Sequence, residues 1–454
     1  MSLSFERAQS VAIIGGGPGG YEAALAAAQL GADVTLVERA GVGGSAVITD
    51  VVPSKTLIAT ADAAVAIADA GELGVQLFAK GGDGRPLKPE IAINLAQVNK
   101  RLLALARQQS EDMRASLLQA GVTILEGHGR VEDDNAVVVS TGPGGTDFDR
   151  IEADTLVISV GASPRELPSA KPDGERILTW TQLYDMKTLP EHLIVVGSGV
   201  TGAEFASAYM NLGSKVTLIS SRDQVLPGED KDAAAVIESV FLRGGMTLLP
   251  KSRAKSVVRE GDGVVVTRSD GSRVEGSHCL MAVGSIPNTA NIGLEQAGVQ
   301  LTQSGHIRVN RVARTSVPNI YAAGDCTNFF PLASVAAMQG RTAVFHAFGD
   351  VVIPLEKRRI TANIFTAPEI ATVGWGVADI DAGRIGGVVH KLPLSSNPRA
   401  KMMGISDGFV KLIAREGSGT VVGGVIVGPR ASELIYPIAI AVERRLTVDQ
   451  VSRV

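Results

Sequence analysis

Sulfur is scarce in this chain. Its 454 residues hold two cysteines, Cys279 and Cys326, 47 positions apart and in no paired motif. That excludes a disulfide framework and a Cys-rich metal site, and no metal centre is expected. A large surplus of either charge is also lacking. The formal net charge is -4 and the basic residues are scattered, so no surface for nucleic acid is expected. Long hydrophobic runs are missing too. The longest near the C-terminus, Leu434 to Val442, has nine residues and contains Pro437. A bilayer span needs ~20, so the run reads as a core or interface helix and no transmembrane segment is expected. At the N-terminus no cationic segment precedes a long apolar region, because Val11 to Ile14 runs straight into glycines. A cytoplasmic protein is the expectation. What remains is ordinary core material, 45% hydrophobic and 20% charged, in a chain long enough for roughly two to four domains.

Glycine, by contrast, is abundant, at 52 residues, and it marks a dispersed internal repeat. The first copy is an apolar strand Val11 to Ile14, a turn with Gly15, Gly17 and Gly20, an Ala-rich helix to about Leu30, and a strand Val34 to Val37. The second is Leu193 to Val196, then Gly197, Gly199 and Gly202, a helix through Tyr209 to Leu212, and Val216 to Ile219. The bare G-x-G-x-x-G spacing arises by chance on the order of once in such a chain. Context makes it informative: both matches follow a strand, open a helix, and are followed 23 residues after the first glycine by the end of a second strand. Such a turn lets backbone approach a pyrophosphate whose charge rests on the helix N-terminus. Two turns imply two dinucleotides. At the end of the first copy stands Glu38, whose carboxylate can accept hydrogen bonds from both hydroxyls of an adenosine ribose. The matching position of the second copy is Ser220, followed by Ser221 and Arg222.

Between the copies, roughly Ile93 to Ala120 has helical spacing, preceded by a loop with Gly81, Gly82, Gly84 and Pro86. Gly142 to Gly145 reads as a hairpin turn. After about Gly349 the pattern changes to strands such as Phe409 to Ala414 and Val421 to Val427, with a late helix from Ser432.

One further stretch carries a resemblance. Gly43, Gly44, Ser45, Ala46, followed by Val51, Val52, Pro53, Ser54, Lys55, is similar to the G-G-T-C-x-x-x-x-C-x-P-S-K segment of the dihydrolipoamide dehydrogenase and glutathione reductase family of flavoprotein disulfide reductases. Both sulfur positions are changed, to Ala46 and Val51. Ile320 to Asp325, followed by Leu332 to Gly340, resembles the family's second flavin motif, and Ile158 to Pro164 and Met281 to Thr289 resemble its two interdomain crossovers.

The resemblance implies an α/β chain with two Rossmann-like dinucleotide-binding domains, one for FAD and one for NAD(P), plus a C-terminal α+β dimerisation domain. The FAD domain would be discontinuous, 1–160 and 285–348, the NAD(P) domain 161–284, and the dimerisation domain 349–454, its C-terminal end open to truncation. FAD would be held by Gly15, Gly17, Gly20, Glu38, Gly44, Ser45, Lys55, Gly161, Gly324, Asp325 and Ala333. NAD(P) would be held by Gly197, Gly199, Gly202, Ser220, Ser221, Arg222 and Gly284.

Lys55 and Glu204 match the family's ion pair near the flavin nitrogen that accepts hydride, and are the candidate catalytic residues. A carboxylate at position 220 would repel a 2′-phosphate by about 4 kcal/mol at 4 Å and an effective dielectric near 20. With hydroxyls and a guanidinium there instead, NADPH is the expected co-substrate and NADH the alternative. None of His128, His192, His278, His306, His346 and His390 lies in the His-Pro motif that supplies the family's acid-base group. With Ala46 and Val51 lining the acceptor pocket, the chain resembles a cysteine-less branch of NAD(P)H:quinone reductases, acting as a homodimer on a small-molecule quinone. Two other functions stay open: a soluble pyridine-nucleotide transhydrogenase, or a non-enzymatic FAD-bound redox sensor or interaction protein.

Overall fold

The computed structural model describes residues 8–76, 78, 91–142 and 147–453. The expected loop at Gly81 to Pro86, and all of the expected turn at Gly142 to Gly145 but its first residue, lie outside them. The chain divides into two units, one of Met1–Pro53, Leu102–Pro164 and Ser285–Glu356, the other of Ser54–Arg101, Arg165–Gly284 and Lys357–Val454.

In the first unit the apolar run Ser10–Ile14 becomes the centre of a five-stranded parallel sheet. It pairs with Asp33–Glu38 on one side and Thr155–Ile158 on the other, and Thr123–Glu126 and Ile320–Ala322 form the edges. All five residues of Ser10–Ile14 are buried, as a parallel strand covered on both faces requires. On one face the Ala-rich helix Pro18–Gln29 packs Ala23, Ala24 and Ala27 against Val11, Ile13 and Leu36. Small residues allow this helix to meet the Ala333–Ala347 helix backbone to backbone: a Cβ at Gly340 would stand 2.0 Å from the Gly19 carbonyl oxygen. The strands Ala136–Thr141 and Asp147–Glu152 pair antiparallel.

The second unit repeats the parallel pattern. His192–Val196 lies between Lys215–Ile219 and His278–Met281, with Thr247–Leu249 and Ile177–Leu178 outside them. In both units the strand before the glycine turn is in register with the strand that ends at the candidate ribose position, Ile14 facing Val37 and Val196 facing Ile219. Beyond residue 356 the same unit holds an antiparallel sheet in the order Thr361–Ile364, Glu369–Gly374, Val421–Gly428, Phe409–Arg415, Gly387–Pro393. The late helical segment starts at Ala431 and continues, after a break at Ile435, as Tyr436–Arg444. Residues 54–101 join this unit because their side chains are tied to it. Asn99 Nδ2 donates to the Met186 carbonyl at 2.7 Å, and Lys55 pairs with Glu204.

The reading of hydrophobic runs needs one correction. Within the helical stretch Gly44–Leu73 an 18-residue window reaches a mean hydropathy of 1.4, which by length and composition alone is enough to cross a membrane. An uninterrupted apolar run misses it because polar residues are interspersed. It is broken between the helices Gly44–Ile48 and Val51–Asp69 and carries the ion-paired Lys55.

Candidate active site

The first glycine turn is built by backbone. Gly15 adopts φ +98°, which a side chain would oppose, and its N–H donates to the Val37 carbonyl at 2.8 Å. The chain then folds back so closely that a Cβ at Gly20 would lie 1.9 Å from the Gly15 carbonyl oxygen. Gly17 is the N-cap of the Pro18–Gln29 helix; no side chain caps that end and no acidic residue lies in its first turn. A Cβ on Gly17 would meet nothing within 4 Å. The first N–H groups of the helix thus face open space suited to an anion.

Glu38 is buried with its carboxylate turned into this turn. Its Oε2 accepts from the Gly16 N–H at 2.6 Å and its Oε1 from the N–H groups of Arg39 and Ala40, both at 2.7 Å. Gly44 packs on Gly17, where a Cβ would approach the Gly17 Cα to 2.9 Å. Ser45 is exposed, its hydroxyl 2.9 Å from Thr49 Oγ1.

Elsewhere in the unit, Gly324 follows the Ile320–Ala322 strand, and its N–H donates to Gln339 Oε1 at 2.8 Å. Asp325 has no hydrogen-bond or ionic partner among the described residues, and burial raises its carboxyl above the usual range. A half-buried carboxyl with no protein donor is free to accept hydrogen bonds from a hydroxyl-bearing ligand. Ala333 opens the helix Ala333–Ala347, whose N-terminus also lacks a side-chain cap. Gly161, at φ +65°, lies between the strand Thr155–Ile158 and the first crossover strand Ala162–Pro164. The two crossovers meet as an antiparallel ribbon, Ala162–Pro164 against Ser285–Pro287, bracketed by Asn288, whose Nδ2 donates to the Val160 carbonyl at 2.9 Å.

The second turn reproduces the first in the other unit. Gly197, at φ +112°, donates its N–H to the Ile219 carbonyl at 3.0 Å; Gly199 is the N-cap of Val200–Asn211; a Cβ at Gly202 would lie 1.9 Å from the Gly197 carbonyl oxygen. Gly284 follows the His278–Met281 strand. Ser220 differs from its expected place. Its side chain is buried, with Oγ 2.7 Å from Ser198 Oγ and accepting the Arg222 N–H at 3.1 Å. Ser221 and Arg222 are exposed, and Arg222 opens a depression lined also by Asp223, Gln224, Pro227 and Gly228.

Lys55 and Glu204 come together as the resemblance implies. Nζ lies 2.8 Å from Glu204 Oε2, and the Glu204 side chain is 6% exposed. The other carboxylate oxygen accepts the Phe365 N–H at 2.8 Å, and Lys55 Nζ lies 5.0 Å from the centroid of the Phe365 ring. One turn further along the Glu204 helix, Ser207 Oγ accepts the Ala367 N–H at 3.1 Å. Sequence reasoning missed Phe365, which falls within the expected dimerisation domain of 349–454, because a backbone N–H donor leaves no side-chain signature.

The sulfur positions are confirmed as thiol-free. Ala46 lies in the helix Gly44–Ile48 and Val51 begins the helix Val51–Asp69, Val51 being 37% exposed. The two thiols the chain has are sealed in cores. Cys279 and Cys326 are both 0% exposed. Burial pushes the Cys326 thiol up to about 12 and that of Cys279 higher still, so neither supplies a thiolate at neutral pH.

Residues 9–340 match the protein family described as pyridine nucleotide-disulphide oxidoreductase, and residues 360–454 match its dimerisation domain. Over 451 residues the chain is 49% identical to an NAD(P)H dehydrogenase (quinone) of Mycobacterium tuberculosis, covering 98% of this chain and 90% of that protein. A dihydrolipoyl dehydrogenase of Geobacillus stearothermophilus is 32% identical, covering 97% and 91%. Among solved structures, LpdA from Mycobacterium tuberculosis matches with a TM-score of 0.91 and 48% identity, covering 98% of this chain and 95% of that one.

The cofactor of that family is FAD, and the first unit fits it at two independent places: the open cradle before Gly17 and the partnerless carboxyl of Asp325. Replacing Gly17 by Val tests the first. The added side chain meets no protein atom near its Cβ, so the melting temperature of the cofactor-free protein should hold while FAD retention through gel filtration is lost. A Gly17→Val protein that stays yellow would place the pyrophosphate elsewhere.

Proposed function

This chain belongs to the pyridine nucleotide-disulphide oxidoreductase family, and we propose that within it the chain is an NADPH:quinone oxidoreductase working without a redox disulfide. It is an oxidoreductase with FAD as cofactor and NAD(P)H as co-substrate. The balance is NADPH plus one proton plus quinone giving NADP⁺ plus quinol.

The observation that carries the reading is the pair Ala46 and Val51 at both sulfur positions, together with two remaining thiols that are 0% exposed. Nothing sulfur-based can relay electrons, so the acceptor must take them from the cofactor itself. A flat, apolar quinone suits a surface on which a methyl and an isopropyl group stand in place of two sulfurs. The name of the Mycobacterium tuberculosis relative supports the same class of acceptor.

When bound, FAD supplies the hydride-accepting ring. The protein's part is to orient and to hold charge. Glu204 uses one oxygen for Lys55 and the other for the Phe365 N–H, which fixes the ammonium in one place. We assign this pair to the hydride-transfer locus and the Gly199 turn, with Ser221 and Arg222, to the nucleotide. The dimerisation-domain match over 360–454 supports a homodimer, and we place the protein in the cytoplasm.

The experiment that tests this reading is anaerobic reduction of the yellow protein by NADPH followed by addition of quinone. A protein that reduces an NAD analogue and no quinone would be a transhydrogenase instead. The nucleotide assignment has its own check. With no carboxylate at position 220 and a guanidinium at 222, kcat/KM for NADPH should exceed that for NADH by about tenfold, the worth of roughly one charge-assisted hydrogen bond. A ratio favouring NADH would remove Arg222 from the phosphate site.

A further inference from the structure

The two glycine turns have the same backbone hydrogen bonds and differ in the side chains that meet at the ribose position. In the first copy the second residue of the turn is Gly16, and its N–H donates to Glu38 Oε2 at 2.6 Å. In the second copy the same two positions are Ser198 and Ser220, joined through their hydroxyls at 2.7 Å. The frames around them agree. The carbonyl of the second turn residue accepts a loop N–H in both, Gly43 to Gly16 and Leu226 to Ser198, each at 2.8 Å. The turn therefore offers a direct measure of what a side chain at its second position does to a carboxylate at the ribose position. A Cβ added to Gly16 would lie 3.1 Å from Glu38 Oε2 and 3.5 Å from Glu38 Cγ. The carboxylate would have to shift by a few tenths of an ångström to admit a methyl, and further to admit a hydroxyl.

We infer that Ser198 is a specificity-determining residue that acts with Ser220 as a coupled pair. Its side chain fills the volume a carboxylate at position 220 would need, and so excludes the acidic group that grips an unphosphorylated ribose. The Ser198 N–H, which makes no hydrogen bond among the described residues, is the counterpart of the donor that Glu38 takes from Gly16. A glutamate at 220 reaches it best when residue 198 is glycine and is hindered more as the side chain at 198 grows. Exchanging Ser220 alone is then insufficient to turn the site toward NADH. The inference rests on reading the second turn as the NAD(P)H site and deepens that reading.

The test uses the FAD-loaded protein and two analogues that carry no nicotinamide, ADP-ribose and 2′-phospho-ADP-ribose, titrated calorimetrically. The variants are Ser220→Glu, Ser198→Ala with Ser220→Glu, and Ser198→Gly with Ser220→Glu; melting temperatures are taken in parallel. Ser220→Glu alone should lose the phosphorylated analogue without gaining ADP-ribose, and should melt earlier than the wild type. Adding Ser198→Gly should raise ADP-ribose affinity about tenfold over Ser220→Glu, the scale of one hydrogen bond to a charged group regained, and restore the melting temperature. Ser198→Ala should fall between them.

Equal ADP-ribose affinity in Ser220→Glu and the double glycine variant would overturn the coupling, as would a double glycine variant that fails to fold. Folding of the double variant where Ser220→Glu fails would support it. A wild type that binds both analogues equally would overturn the NADPH preference and leave the coupling readable. A wild type that binds neither would overturn the site and the inference together.

Discussion

Replacing Lys55 by Met should slow the NADPH-driven bleaching of the flavin by about a hundredfold, while FAD retention stays near the wild-type level. The Glu204 side chain is only 6% exposed. Breaking a buried pair by removing one partner typically costs about 3–5 kcal/mol, because the other charge is left uncompensated. Lys55 is itself 28% exposed, which lets water screen part of that cost, and the Phe365 N–H still holds the second oxygen. A loss of about 2.7 kcal/mol, a factor of a hundred in rate, is the consequence if that disturbance falls on the hydride-transfer step. Retention of FAD should change little, since the glycine turn, Glu38 and Asp325 are untouched.

A control separates the two ways in which the variant can fail. If the rate falls only because Glu204 is left as a bare carboxylate, Lys55→Met with Glu204→Gln bleaches normally. If the ammonium itself is needed, the second substitution does not rescue it. The second pattern is expected. Stopped-flow bleaching of both variants reads the difference, and an unchanged rate in Lys55→Met would return the lysine to a purely structural role.

Those parts of the molecule that local chemistry dictates were legible in the sequence. The strand, glycine turn and helix of each copy follow from residues within a few positions of one another. The 23-residue spacing from Gly15 to Glu38 and from Gly197 to Ser220 reappears as matched hydrogen bonds from Gly15 and Gly197 to the strands beside them. The thiol-free sulfur positions needed no structure at all.

What could not be read depends on contacts between distant residues. Residues 54–101 belong with the second unit through side chains such as Lys55 and Asn99, whose partners lie more than eighty residues away. Phe365 enters the Lys55 site through its N–H, an atom nearly every residue owns. Ser220 turns inward because Ser198 waits for it, and Ser198 sits at a position the glycine pattern leaves free. The apolar stretch Gly44–Leu73 escaped a search for unbroken runs.

Anaerobic titration should consume two electrons per flavin, and no long-wavelength thiolate-to-flavin absorption should appear at any stage. A disulfide reductase stores four electrons, two in the flavin and two in the cysteine pair. Here the positions of that pair are Ala46 and Val51. Cys326 is next to Asp325 in sequence, yet its sulfur is 0% exposed and its hydrogen-bonding atoms face inward, with Sγ 3.3 Å from the Ala323 carbonyl oxygen. Burial raises the pKa of its thiol well above neutral pH, so it stays protonated at pH 7. Cys279 is equally buried in the other unit. A double Cys279→Ala, Cys326→Ala protein should therefore titrate with the same two electrons and reduce quinone at the wild-type rate. Lipoamide and glutathione disulfide should not be turned over by either protein. Addition of quinone to the reduced enzyme should restore the yellow oxidised spectrum in one step, with one quinol formed per flavin. A four-electron titration, or turnover of a disulfide substrate with none of a quinone, would overturn the assignment, because either requires sulfur chemistry that Ala46, Val51 and two sealed thiols cannot perform.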